Sequence, residues 1–247
     1  MKSKLLVILT VAFVTAMTFC LMGCAPQEEK STDEQFMTAL AKGLEDRWAI
    51  TDAEEASQES IEKAIQKEKD AVSEFYEAEF ENAELGDCAK RYIDALNASN
   101  AADMFSTSGY SRWSQVYNQR VAALYDINAI TEIPVSEKGK SNLEGLLNDG
   151  QAASFAIASM NSLAFEAQAP EYEGDTFLTY KAVAENTSTV TFSYISYNIN
   201  LLDADGVVLE STTVFSNDWA PGAKHAFEFM TNTAFASYEV TSCDWAL

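Results

Sequence analysis

The chain has 247 residues, of which 38 are Asp or Glu and 16 Lys or Arg, for a formal net charge of −22. A surface this acidic repels nucleic acid phosphates and anionic lipid headgroups, which excludes nucleic acid as a partner. Apolar residues make up 47% of the chain, with 14 Phe and 10 Tyr, so the sequence folds and is no disordered acidic tail.

Lys2 and Lys4 precede an uncharged run, "LLVILTVAFVTAMTFCLMG", which stops at Cys24 and gives way to "APQEEKSTDEQ". By length alone such a run could cross a bilayer. Its flanks point to an export signal instead, with positive charge before, small residues near the end and a polar switch after. Leu21-Met22-Gly23-Cys24 resembles the bacterial lipobox. That resemblance implies cleavage before Cys24, a thioether-linked diacylglycerol on its sulfur, and often acylation of the new amino group. Two or more acyl chains anchor stably where one binds reversibly. We therefore expect a lipoprotein signal peptide over residues 1–23 and a polar tether over 24–32. The chain would sit on the outer, extracytoplasmic face of the cell membrane, in contact with the bilayer through acylated Cys24. Removing the signal takes away two lysines and no acid, leaving a net charge of −24. Cys88 and Cys243 remain. Outside the cytoplasm they could form a disulfide joining the two halves of the chain, or stay as two buried free thiols.

After the tether the period becomes helical. Phe36, Leu40, Leu44 and Trp48 recur every four residues, with Thr32 or Asp33 as the cap. A second helix is expected from Thr51-Asp52, carrying Ile61, Ile65, Val72, Phe75, Tyr76 and Phe80 on one stripe. Glu62, Gln66 and Asp70 then face solvent, and the acids of this half fall mainly on the solvent side. The third helix runs from about Glu84 to Ser99, with Leu85, Cys88, Tyr92 and Leu96 on one face. "STSGYSRWSQVYNQRVAALYDI" predicts a fourth, with Trp113, Val116, Tyr117, Arg120 and Leu124 inward. Pro134 breaks the pattern, and "SEKGKSNLEGLLND" with "QAASFAIASMNSLAF" reads as one or two weaker helices. Residues 33–160 are thus expected to form an all-α helical bundle.

Beyond about Leu163 the period switches to two. "FLTYKAVAEN", "VTFSYISYNINLLD", "VVLESTTVFSND", "KHAFEFMT" and "SYEVTSCDW" are rich in β-branched and aromatic residues, with turn residues between them. Residues 163–247 predict an antiparallel β-sandwich, which makes the whole chain a multidomain α+β protein. Asp203-Ala204-Asp205-Gly206 is a tight hairpin turn. In order, "FLTY" (177–180), "AENTS" (184–188), "LLDADGVVLE" and "APGAKHAFEF" resemble the signature of FxLYD-like bacterial immunoglobulin-type domains. The resemblance covers about a third of the chain. It implies an immunoglobulin-like fold on an exported lipoprotein and no particular chemistry.

Catalytic tools are scarce. His225 is the only histidine, so a Ser-His-Asp triad or a histidine-rich zinc site could draw on no other. It reads as a strand-surface residue. Cys88 would need a base such as His225 to act as a nucleophile. Acids at "DRW" (46–48) and "ELGD" (84–87) could pair as in a glycosidase, but with so many acids chance adjacency explains them as well. "DADGVVLE" has the wrong spacing for a calcium loop and reads as a hairpin. No phosphate loop or dinucleotide fingerprint occurs, so no cofactor, metal ligand or catalytic residue is assigned. Trp219, in a turn at one end of the strand region, is the candidate for contact with a partner; the alternative places it over the core. The expected function is a non-catalytic envelope module that binds a protein or cell-wall ligand. Its rival is a carboxylate-based hydrolase of cell-wall polymers in the helical half.

Overall fold

The computed structural model describes residues 30–170, 172 and 174–247. The signal segment, the lipobox with Cys24 and most of the tether lie outside these residues.

Helix α1 spans Thr32–Thr51, and its four-residue repeat buries Phe36, Leu40 and Leu44 completely. It runs on through Thr51, so α2 begins later than the apolar stripe suggests, at Gln58–Val72. The reason is a cap. Ser57 Oγ accepts from the Ser60 amide at 3.1 Å, and Ser60 Oγ accepts from the Ser57 amide at 2.9 Å. This reciprocal pair satisfies donors that a helix start leaves orphaned, and such a cap contributes about 1 kcal/mol. Phe75 follows in a single 3₁₀ turn, Ser73–Phe75, and Tyr76 and Phe80 lie beyond the helix while still packing on its cluster.

Helix α3, Ala83–Ala98, is capped by Asn82, whose Oδ1 accepts from the amides of Glu84 and Leu85 at 3.0 and 3.2 Å. A short α4, Ala101–Met104, leads into α5, Tyr110–Ile130. After Pro134 the two weak segments form one continuous helix, α6, Lys140–Ser162.

The strands follow: β1 Glu166–Ala167, β2 Leu178–Glu185, β3 Phe192–Leu202, β4 Val208–Trp219, β5 Lys224–Thr231 and β6 Ser237–Ala246. They make two three-stranded antiparallel sheets, ordered β1-β2-β5 and β4-β3-β6. Ala182, Phe227 and Phe229 from one sheet share a buried cluster with Ile195, Tyr197, Ile199 and Val214 from the other. At the β3–β4 turn Gly206 has φ +81°, where any side chain would be strained. Among the described residues the architecture is mixed α+β with antiparallel sheets, and no helix is long and apolar enough to cross a membrane.

Residues Thr32–Leu247 form one compact unit, and α6 is the element that both clusters share. Leu143 near its start packs with the helices, whereas Ala152 and Ala156 pack with the strands. Two polar contacts fasten that junction. Ser159 Oγ lies 2.6 Å from the Tyr197 hydroxyl, and the Tyr238 hydroxyl accepts from the Phe165 amide at 2.9 Å.

Helices α5 and α6 approach most closely at Gly150. A Cβ built there would lie 2.4 Å from the Val121 carbonyl oxygen and 2.8 Å from Tyr125 Cβ. Alanine would gain about 1 kcal/mol of helix propensity. Overpacking against a fixed backbone carbonyl costs about 1–3 kcal/mol and wins. We expect Gly150→Ala to lower Tm by about 3–6 °C in a calorimetric scan; an unchanged or higher Tm would show that the helices can separate freely.

Candidate functional site

A cluster of opposite charges is buried among the helices. Glu68 of α2 has no solvent exposure. Its Oε1 accepts from Arg120 Nε and Nη2 of α5 at 2.8 and 2.5 Å and from the Tyr92 hydroxyl of α3. Its Oε2 accepts from Arg47 Nη1 of α1 at 2.7 Å. The Arg120 guanidinium also sits 5.7 Å from the centre of the Tyr92 ring. Burial pushes the Glu68 carboxyl up, but Arg120 and Arg47 together outweigh it and hold the group below the ordinary carboxylate value. Burial, then the nearby carboxylate, drives the Tyr92 hydroxyl well above its usual value. Both carboxylate oxygens are thus engaged, which suits a structural ion cluster and not a proton-transfer site.

The expectation that acids of this half face solvent fails at Glu68. The signal was present, since Glu68 lies three residues after Ile65 and four before Val72 on the same stripe. Arg120 and Tyr92 do point inward as the spacing predicts. In "DRW" the residue that matters is Arg47. Asp46 is an exposed partner of Lys42, and Trp48 lies partly buried on the helical cluster.

A raised carboxyl does occur, at Asp33. It accepts from the amides of Glu81 and Asn82 at 3.0 and 3.1 Å, while Glu81 accepts from the amides of Thr32 and Asp33 at 3.3 and 3.2 Å. Partial burial, then the neighbouring Glu81 carboxyl, pushes Asp33 up, and the Asp33 amide holds Glu81 down. Each acid caps the other's segment, so the pair is committed to backbone donors.

Glu84 and Asp87 line a groove with Cys88, Arg91 and Asp126. There Arg91 donates to Asp126 Oδ2 at 3.0 Å from both terminal nitrogens, and to Cys88 Sγ at 3.1 Å. Burial raises the Cys88 thiol although Arg91 opposes it. His225 is not brought to this thiol, because it packs against the Trp219 and Phe227 rings in the strand region. The disulfide between Cys88 and Cys243 does not form. Both are free and buried, one in the helical cluster and the other in the strand cluster. Nor is Trp219 presented to a partner. It is 2% exposed, its ring packs on Phe155 and Phe227, and its Nε1–H donates to the Ala223 carbonyl at 2.8 Å. A tryptophan at a strand end with apolar neighbours on three sides gains more from burial than from display.

Asp203 Oδ1 accepts from the amides of Asp205 and Val207 at 2.9 and 2.8 Å, so the hairpin consumes the oxygen that a calcium loop would offer. Among the described residues, no three His, Cys, Asp or Glu side chains converge as metal ligands.

Two hollows remain. One, of about 170 Å³, lies between α1 and the start of α6, where Glu45, Trp48, Asp52 and Lys138 meet. Glu45 Oε1 there accepts from the Ser136 amide at 2.5 Å. The other, of about 180 Å³, opens where α5 and α6 meet β6. Its walls are Gln115, Asn118 and Gln119 of α5, Ile157 and Met160 of α6, and Trp245 of β6. Trp245 Nε1–H is the one buried side-chain polar atom without a hydrogen-bond partner among the described residues. Cys243 also lines this hollow; burial, then Asp244, pushes its thiol up to about 12, so it is no nucleophile near neutral pH. The alternation in "SCDWAL" places Trp245 on the same strand face as Cys243, but which helix faces it is a long-range fact that a local pattern does not carry.

No family model matches the chain, and no curated protein matches it either. One solved structure, that of IrmA from Escherichia coli, is similar over 34% of this chain and 75% of its own length. The identity is 11% and the TM-score 0.27, which is too low to bear on fold or function.

The buried cluster yields a stability test. Removing one partner from a buried ion pair costs about 3–5 kcal/mol, because the remaining charge stays desolvated. Glu68→Gln should therefore lower Tm by about 10 °C at neutral pH. Because the folded carboxyl lies below its ordinary value of 4.5, its contribution is complete above that pH and fades as pH falls through the folded value. The gap between wild type and variant should accordingly narrow in acid. A gap that is small at pH 7, or that widens below pH 4, would contradict this assignment.

Proposed function

We propose that the chain is an exported lipoprotein, held by acylated Cys24 on the outer face of the cell membrane, that works as a non-catalytic binding module of the envelope. In this reading residues 33–160 form a helical bundle and residues 163–247 an immunoglobulin-like sandwich. The order of the elements and the shared cluster between the two antiparallel sheets support that division. The observation that carries the functional reading is the hollow beside Trp245. It joins an aromatic wall to uncharged polar groups, which is how a recognition site is built. Meanwhile Glu68 is engaged with two arginines and Asp33, whose carboxyl is raised, with backbone amides.

One observation favours the rival. Glu45, Asp52 and Trp48 share a hollow, the ingredients of a carboxylate-based glycoside hydrolase of cell-wall polymers. Incubation with purified cell-wall polymer separates the two readings. We expect the full-length protein to sediment with the polymer and to release no soluble reducing ends. Release that disappears in Glu45→Gln would establish the hydrolase instead.

The anchor has its own test. Metabolic labelling with an alkyne fatty acid should tag the wild type and miss Cys24→Ala. Equal labelling of both would end the lipoprotein reading.

A further inference from the structure

An open strand edge presents a row of unpaired amides and carbonyls, a ready template for another strand. Among the described residues the two sheets have four edges, and three of them are blunted. Strand β1 is only two residues long, and β5 carries Lys224 and Glu228. Strand β6 has α5 and α6 beside it, with Trp245 packed on Val121, Ala122 and Ala153. The fourth edge is β4, twelve residues long and paired with β3 on one side alone. From Ser211 to Asn217 it holds no charge and no proline, the devices that keep edge strands apart.

The outer face of β4 is apolar in places and held still. Thr213 Oγ1 donates to Asn198 Oδ1, and Ser211 Oγ to Asn200 Oδ1, each at 2.7 Å. Both hydroxyls therefore lean toward β3 and away from the open edge. Phe215 is 56% exposed, with its ring stacked on that of Tyr194 at 6.3 Å between centres, and Leu209 is exposed as well. Glu210, the acid that begins the stretch, reaches toward the β5–β6 connection, where it accepts from the Thr231 and Thr233 hydroxyls at 2.7 and 2.6 Å.

Symmetry and parity narrow the ways in which β4 can pair with itself. Two copies about a twofold axis pair antiparallel, and side chains alternate between faces, so the residue numbers of each facing pair must have an even sum. The bulge at Leu209, which has no partner on β3, and the φ of +51° at Asp218 bound the regular stretch to residues 210–217. A register centred on Val214 sets Glu210 against Asp218, acid against acid. One centred on Thr212 keeps only the five residues 210–214 of the stretch. Centred on Thr213, the pairing uses the seven residues 210–216. Glu210 then meets Ser216, Ser211 meets Phe215, and Thr213 meets itself. Threonine pairs across strands are favourable, and Phe215 reaches Leu209 of the other copy on the diagonal.

We propose that two copies of this chain associate through the open edge of β4, antiparallel about Thr213, and so join their three-stranded sheets into one of six strands. The net charge of −22 on each copy opposes the approach, and a single strand pair is a small interface. The dimer is therefore weak, and it tightens as salt screens the repulsion.

Sedimentation equilibrium of the full-length protein in a density-matched detergent tests it. A monomer–dimer equilibrium with Kd below about 1 mM is expected, tightening between about 50 and 500 mM salt. Because residue 213 faces itself across the axis, Thr213→Lys and Thr213→Glu should each weaken the dimer about fivefold. An equal mixture of the two variants should recover it, since opposite charges then meet. Residue 213 is exposed, so both variants should melt with the wild type. Should either melt early, hydrogen exchange of the wild type decides: alternate amides of β4 should slow as the protein concentration rises. A wild type that stays monomeric at about 1 mM would overturn the proposal. So would a dimer that loosens with added salt, one that ignores both substitutions, or a mixture no tighter than its components. Amides of β4 that exchange at the same rate at every concentration would overturn it as well.

Discussion

One carboxylate holds the helical region in register. Glu68 receives donors from α1, α3 and α5 while itself belonging to α2, so four helices meet at two oxygen atoms. Hydrophobic contacts are tolerant of small slides, because their energy follows area and not direction. An arginine fork on a carboxylate is directional, and a slide of one helix would leave charge buried without a partner. Whether such a cluster adds net stability over an apolar replacement is a separate matter, since desolvation offsets much of the attraction. What it does here is penalise every alternative packing of α1, α2, α3 and α5.

From that point the order passes outward through α5. Arg120 fixes α5 on one side, and the close approach of Gly150 to the Val121 carbonyl fixes α6 on the other. Helix α6 then carries its alanines into the strand cluster, where Ser159 meets Tyr197. The hollow lined by Trp245 exists because these steps bring α5, α6 and β6 to one place. No segment of the chain contains it alone. A change at Glu68 would therefore reach the hollow mechanically, through the seating of α5, without touching it.

What could be read from the residues follows the range of the forces involved. The helical repeat from Phe36 to Trp48 and the alternation after Leu163 are local, and helices and strands occur where those periods run. Capping is local too, yet Ser57 is hard to read because a serine three residues on, and not a glutamate, completes the box. Glu68 shows a different limit. Its position on the apolar stripe is legible, but an acid there reads as an interruption until Arg47 and Arg120 are known to converge on it. The cysteines show the same limit from the other side. Cys88 and Cys243 are each apolar-face residues, and nothing local distinguishes two thiols in separate clusters from two in one. By sequence Trp219 reads as a turn residue, where exposure is the ordinary expectation; it closes strand β4 instead, and the rings of Phe155 and Phe227 bury it. Trp245 Nε1–H lacks an acceptor, which is a property of packing that no local pattern carries.

The charge of the chain bears on the binding role we propose for it. Glu68 and Asp103 apart, its acids among the described residues lie at least partly exposed and are screened beyond about 10 Å in ordinary salt. They repel like-charged polymers and contribute nothing directional. Recognition must then come from a place where the field is weak and the contacts are specific. The hollow by Trp245 meets that requirement, since its lining carries no formal charge and its donors and acceptors are held by two helices and a strand. The hollow by Trp48 does not, because Glu45, Asp52 and Lys138 make it a charged site whose affinity would follow ionic strength. On a predominantly acidic surface, the neutral recess is the part on which the binding we propose would rest.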